Sequence, residues 1–244
     1  LIAAGYTAEE WWKLAGLSAA KFAEAFNDAG YHKQIANRLL EPFQRMKTVI
    51  SGTEWNNFFW LRVDGDADPT IRKLATMMKE AIEESKPEVL WAGEWHTPYV
   101  RHRYQLSNHD HVHLEPRFDY VVEDINDKEI CLTKEEALSI SASCCGQVSY
   151  RVLNNTYDKA LDIYSKLVSG NKVHGSPLEH QATPIQETIE DAPLGWEELV
   201  NVGWCSESWD EGITHIDRGG NFWSGNFKGF IQQRQLIPGN VMKG

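Results

Sequence analysis

The chain is poor in cysteine, has no long apolar run and carries fewer positive than negative side chains, and each shortage excludes a class of protein. Its four cysteines, Cys131, Cys144, Cys145 and Cys205, form no CxxC pair, and the adjacent Cys144 and Cys145 cannot easily bridge to each other. That excludes a disulfide scaffold and a zinc finger, and it points to a reducing, cytoplasmic compartment. No apolar stretch reaches the roughly 18–20 residues that span a bilayer, and Leu1-Ile2-Ala3-Ala4 lacks the basic flank of a signal peptide. With 24 Lys plus Arg against 35 Asp plus Glu, the net charge of −11 repels phosphate backbones and argues against a general nucleic-acid binder. A few arginines in a cleft can still hold a small anion. P-loop, GxGxxG and GxSxG motifs are absent as well.

What is present is 244 residues, 42% of them hydrophobic and 11% aromatic. This suits one ordinary domain, or two small ones, able to bury about 70–75% of the unfolded surface without staples. The chain opens on Leu1 in place of Met, so a natural product extending further towards the N-terminus is expected.

Helical signals fill the first third. Thr7-Ala8-Glu9-Glu10 is a capping box, after which Trp11, Leu14, Ala15, Ser18, Phe22, Ala25 and Phe26 recur at helical steps as far as about Asn27, with Gly30 as the stop. A second helix is expected over about His32–Leu40, ending before Pro42, and a third over about Thr53–Leu61. Pro69 starts a fourth, whose stripe of Ile71, Leu74, Ala75, Met78, Ala81 and Ile82 runs to about Glu84.

From Trp91 to Ile130 the pattern changes to loops with a strand or hairpin, including Phe118-Asp119-Tyr120-Val121-Val122. A second capping box, Thr133-Lys134-Glu135-Glu136, predicts a helix to about Tyr150, and another runs from about Tyr157 to Val168. Residues 185–217 hold nine acids and no Lys or Arg, which reads as a solvated acidic insertion in a single domain spanning 1–244. Asn226–Arg234 favours a strand, so the fold class expected is α+β, a sheet flanked by helices.

Three groups of residues could carry chemistry. His174-Gly175-Ser176-Pro177-Leu178-Glu179-His180 puts two imidazoles, a hydroxyl and a carboxylate on one turn, although a plain helix-to-loop corner accounts for the same residues. Arg38 and Arg62 sit on predicted helices beside apolar positions, with Asn57 five residues before Arg62. A guanidinium fork there suits a phosphate, a carboxylate or a uracil edge, and a structural ion pair with Glu41 or Glu54 is the alternative. His109, His111 and His113, with His96 and His102 nearby, have a spacing that could ligate a divalent ion from one face of a strand.

Read together, Arg38-Leu39-Leu40-Glu41-Pro42, Asn57-Phe58-Phe59-Trp60-Leu61-Arg62 and Ala67-Asp68-Pro69-Thr70-Ile71-Arg72 resemble a series of motifs in the flavin-dependent thymidylate synthases. Gln147-Val148-Ser149-Tyr150 and His174–His180 resemble that family's Val-Ser-Tyr and Ser-Pro-x-Glu-His elements. The order is rearranged, as in homologues from phage genomes, which would make the compartment the host cytoplasm. The chain departs from the family at the Arg-His-Arg signature, where Arg101-His102-Arg103 is followed by Asn108 in register but by His109 and His111 in place of Glu and Ser. Asp68 and Thr70 also replace the family's Gln and Glu.

The resemblance implies reductive methylation of dUMP to dTMP with FAD, methylenetetrahydrofolate and NADPH, in a homotetramer with shared sites. By residue, it implies Arg62 at the uracil edge as the catalytic cation, Arg38 on the nucleotide, and Asn57, His174, Ser176 and Glu179 on FAD, with no metal and no cysteine nucleophile. Two other readings compete with it: a split component needing a further N-terminal segment, and a histidine-ligated metalloenzyme.

Overall fold

The computed structural model describes residues 5–104, 118–124, 126, 128–149, 156–170, 172–185 and 209–241. The chain divides into two compact units, Leu1–Lys47 and Thr48–Gly244. Helices and small antiparallel sheets together make the protein α+β.

In the first unit, helix α1 (Ala8–Asp28) starts at the expected capping box: the Glu10 amide donates to Thr7 Oγ1 at 3.2 Å and the Thr7 amide donates back to the Glu10 carboxylate at 2.7 Å. Gly30 takes a φ of +81°, which lets the chain turn back so that the Tyr31 amide reaches the Phe26 carbonyl. Helix α2 (Lys33–Arg38) leads into a 3-10 turn, Glu41–Phe43, shaped by Pro42. The apolar stripe expected of α1 does not become core. Ala23 is the residue of α1 that is buried, while Trp12, Leu17 and Phe22 are each more than half exposed. A six-residue α2 and one turn are too small to cover a 21-residue helix within this unit.

In the second unit, α3 (Asn56–Arg62) starts three residues later than expected, and α4 (Pro69–Glu84) starts where Asp68 Oδ1 accepts from the Thr70 and Ile71 amides at 2.9 and 3.2 Å. Strands β1 (Arg101–Tyr104), β2 (Phe118–Glu123) and β3 (Glu129–Leu132) form an antiparallel meander in which Tyr120 stands opposite both His102 and Leu132. Its inner face packs on α5 (Lys134–Gln147), with Phe118, Tyr120, Val122, Leu132, Ala137 and Ile140 at the centre of the core. On the exposed side, Arg101 bonds Glu123 and Glu129, and Arg103 bonds Asp119 and Glu129. Arg101 and Arg103 are thus partners in a surface charge ladder.

Helix α5 has its expected capping box and stops at Gln147, three residues short of the prediction. It is buried nearly all round, with Ser139, Ser141, Ser143 and Gln147 inside. Its sequence therefore shows no amphipathic stripe, and the buried polar atoms find partners instead. Ser139 Oγ donates to the Glu135 carbonyl at 2.8 Å, and the Gln147 amide nitrogen reaches Ser143 Oγ at 3.2 Å. Helix α6 (Tyr157–Val168) has the expected limits.

The C-terminal part differs from the sequence reading in two ways. Residues 186–208 of the acidic segment lie outside the described residues, but its end is not a solvated insertion. Trp209, Ile213 and Ile216 pack against Ile185, Phe222 and Ile231, and β5 (His215–Ile216) pairs with β6 (Phe222–Ser224), because the apolar residues between the acids have a core to join. The single strand expected over 226–234 is two short ones, β7 (Phe227–Lys228) and β8 (Phe230–Gln232). They are separated at Gly229 with φ +74° and followed by a 3-10 turn, Gln233–Leu236. β8 pairs with β4 (Ala182–Pro184), and β6 pairs with β7.

The β5–β6 turn hangs on Asp217. Its Oδ1 accepts from the Gly219 and Asn221 amides at 2.8 and 3.0 Å, and its Oδ2 from Trp223 Nε1 at 2.9 Å. Led by the bond from the Asn221 backbone, these donors hold the carboxyl far below the usual carboxylate range. A depressed folded-state pKa stabilises above the unfolded value, about 4, and that contribution fades as the pH falls towards the folded value. Asp217→Ala should therefore lower the thermal midpoint at pH 7, with the gap between variant and natural chain narrowing below about pH 4. A gap independent of pH would refute this role for the carboxylate.

Candidate functional site

The turn from His174 to His180 is set by what lies under it. The His174 amide bonds the Leu167 carbonyl at 2.9 Å, so the turn springs directly from the end of α6. Ser176–Glu179 forms a 3-10 turn with Pro177 in its first positions and Leu178 wholly buried beneath. Next to it, buried Gln181 is tied on both sides. With its side-chain nitrogen directed at Gln233 Oε1 (3.0 Å) and the Pro177 carbonyl (3.1 Å), its oxygen accepts from Ser141 Oγ of α5 (3.0 Å). Its backbone carbonyl also accepts from the Gln233 amide.

Arg234 completes this turn. Its Nη1 donates to Glu179 Oε1, and its guanidinium lies flat across Gly175, where a methyl group would stand 2.6 Å from Nε. Gln232, 2% exposed, donates through Nε2 to the Glu179 carbonyl at 3.1 Å and to Asn226 Oδ1 at 2.9 Å.

Beside the turn lies a cleft of about 400 Å³, walled by Ile50, Trp55, Ile82, Leu90, Phe227 and Phe230 and carrying Ser51, Thr53, Glu88 and His96. Three segments distant in sequence meet at its rim. His180 Nδ1 lies 3.1 Å from Ser51 Oγ, Asn226 Nδ2 donates to the Ser51 carbonyl at 2.8 Å, and the Lys228 amide donates to Thr53 Oγ1 at 2.9 Å. Burial lowers the pKa of both His96 and His180, with the neighbouring His102 adding to the effect at His96, so both rings favour the neutral form. His96 keeps an exposed edge on the cleft even though protein surrounds it.

The sequence-predicted residues distribute as follows. His174 and Ser176 are exposed on the turn, and Glu179 is half-buried against Arg234. Asn57 lies in the first turn of α3 and Arg62 at its end, both exposed, two and seven residues beyond the Trp55 wall of the cleft. Arg38 ends α2 in the first unit and is exposed. Among the described residues, neither Arg38 nor Arg62 has an ion-pair partner, so the pairs with Glu41 and Glu54 do not form. His109, His111 and His113 lie outside the described residues. Among the described residues no three His, Cys, Asp or Glu side chains converge as metal ligands.

Sequence reasoning missed Arg234 and Gln232, and it noted His96 only as a neighbour of the histidine cluster and not as part of this cleft. Arg234 stood at the end of a predicted strand, and its one signal was an arginine after an apolar run. His96 was hidden in a proline- and histidine-rich stretch, although its place between Trp95 and Thr97 put it beside residues that are buried.

Burial disfavours the thiolate form of both cysteines of α5. Burial pushes Cys144 up to about 11 and Cys145 up to about 12. At pH 8 a thiol reagent should label exposed Cys131 and spare Cys144 and Cys145 until the chain is denatured, as peptide mapping would read out. Native labelling of either would contradict the packing of α5.

Gly175→Ala should displace Arg234 from Glu179 and destabilise the chain by about 1–3 kcal/mol in denaturant unfolding, the usual cost of overpacking. An unchanged midpoint would mean that the guanidinium moves aside freely. Compared with known proteins, the chain matches no family model, no curated protein and no solved structure.

Proposed function

We propose that this protein is a flavin-dependent thymidylate synthase with rearranged motif order, converting dUMP to dTMP with methylenetetrahydrofolate as carbon donor and NADPH as reductant. In this reading the fold is that family's α+β architecture and the working form is a homotetramer. The observation that carries it is the bond between His180 and Ser51. It ties the His174–His180 turn, which resembles the family's Ser-Pro-x-Glu-His element, across 129 residues to the segment just ahead of the Asn57–Arg62 motif of α3.

The side chains fit a flat, polar-edged cofactor. His174 and Ser176 offer exposed polar groups on a rigid turn, next to a cleft with aromatic walls. FAD, when bound, supplies hydride transfer. His174, Ser176, Glu179 and Asn57 would hold it, and Arg234 keeps the Glu179 carboxylate in place. Arg62, without an ion-pair partner among the described residues, keeps its full donor fork for the uracil edge, where negative charge grows on the ring as carbon 5 becomes nucleophilic. Arg38 binds the nucleotide.

The visible absorption spectrum of the purified chain, with FAD and then dUMP added, tests this reading. Flavin bands that shift on adding dUMP are expected. Arg62→Ala should lower methylation by about 100-fold or more while the far-ultraviolet spectrum stays unchanged. A colourless chain that ignores both ligands, or an Arg62→Ala variant with natural turnover, would refute it.

A further inference from the structure

Helix α1 carries an apolar seam that its own unit leaves uncovered. Trp11, Ala15, Ser18, Phe22 and Ala25 recur at alternating steps of four and three, the spacing that keeps side chains on one seam between paired helices. Leu14 and Phe26 flank them. Phe22 is 64% exposed, and Leu14, Ala15, Ser18, Ala25 and Phe26 are exposed as well, while Trp11 is half-buried beside Tyr6, with ring centroids 5.1 Å apart. The helix uses a different side within its unit. There the Trp12 ring meets that of Phe43 at 5.0 Å, and Gly16 packs beside the same ring.

The unit has little else to hold it together. Among its described residues only Ala23 and Ala36 are buried, and the two apolar clusters of the chain lie in the second unit. A unit this small without a core of its own is ordinarily completed by association. Charge narrows the choice of partner. At about 3.6 residues per turn, all six charged side chains of α1, namely Glu9, Glu10, Lys13, Lys21, Glu24 and Asp28, fall off the seam. With four acids against two lysines, the helix is a poor match for an anionic lipid surface, which selects basic faces.

The seam is complementary to itself. Turning a second copy of α1 end for end about Ser18 sets Trp11 opposite Ala25 and Phe22 opposite Leu14 and Ala15, with the two Ser18 residues meeting at the axis. Each contact then occurs twice, as a two-fold interface requires, and the large rings meet smaller residues. No charged residue lies between Lys13 and Lys21, so the centre of this pairing is free of charge. We propose that α1 pairs antiparallel with α1 of a second copy of this chain, on a two-fold axis at Ser18. One face of a 21-residue helix, about 30 Å long, buries less than the roughly 800 Å² a side of a standard interface, so the dimer is reversible. Helix α1 lies outside the residues that resemble the synthase family, and the proposal does not rest on that reading.

Sedimentation velocity of the full chain, with neither flavin nor nucleotide present, tests it. At about 100 μM, well above a micromolar dissociation constant, the natural chain should associate. Phe22→Glu should halve the associated mass and leave the far-ultraviolet spectrum unchanged, because this ring is exposed in the single chain. Direction is read by cross-linking. Chains carrying Ala15→Cys and chains carrying Lys21→Cys, mixed and oxidised, should link to each other several-fold more than each links to itself, with the natural chain as the background for exposed Cys131. A monomeric natural chain, a Phe22→Glu variant of unchanged mass, or links of like with like would overturn the proposal. Capture of a monomeric chain by phosphatidylcholine vesicles would overturn it in favour of a bilayer. If Phe22→Glu fails to fold, the cross-linking pattern decides.

Discussion

The arrangement of the second unit rests on one buried amide. Gln232 lies in β8 and, almost without exposure, donates from Nε2 to the Glu179 carbonyl and the Asn226 side chain, while its Oε1 accepts from Gln235. An apolar residue of the same size would take these donors away from the partly buried Glu179 residue and from the Asn226 side chain. Because Asn226 in turn donates to Ser51, this one side chain links the C-terminal strands, the turn at Ser176–Glu179 and the segment leading into α3. Gln181 does the same on the other flank, joining the turn to α5 and to Gln233. The turn and the strands beside the cleft are therefore held by polar bonds of buried side chains, and the apolar core supports them from below.

The same economy governs charge. In a chain with a net charge of −11, most acids are paired or solvated, and the arginines divide by role. Arg101 and Arg103 serve an exposed sheet face, where such pairs contribute little each. Arg234 lies against the turn and fixes Glu179. Arg38 and Arg62 have no ion pair among the described residues, and the same holds for Arg45, Arg72 and Arg218.

Much of the local structure was legible because its signals are local. Capping boxes at Thr7 and Thr133, Pro69 at a helix start and the φ of Gly30 act within a few residues, and the helices they delimit were found with small errors at their ends. The packing was not legible, because it depends on distant partners. The apolar stripe of α1 lacks cover in its own unit, and the serine-rich α5 is buried in spite of its composition. The acidic run hid apolar residues that close a second core, and Gly229 split a strand that composition favoured. The candidate site divided in the same way. The residues of the 174–180 turn could be named from their spacing, whereas Arg234, Gln232 and His96 join it through bonds spanning 53 residues or more, or through the His96–Ala182 bridge, and no sequence window contains these.

The proposed function requires the 50–57 segment, the 174–184 turn and the 226–234 strands to form one ligand-binding unit. Hydrogen–deuterium exchange of the full chain, with and without FAD and dUMP, tests it most directly. Slowed exchange is expected in all three segments together on ligand addition. Protection confined to one segment, or lying wholly outside them, would contradict it.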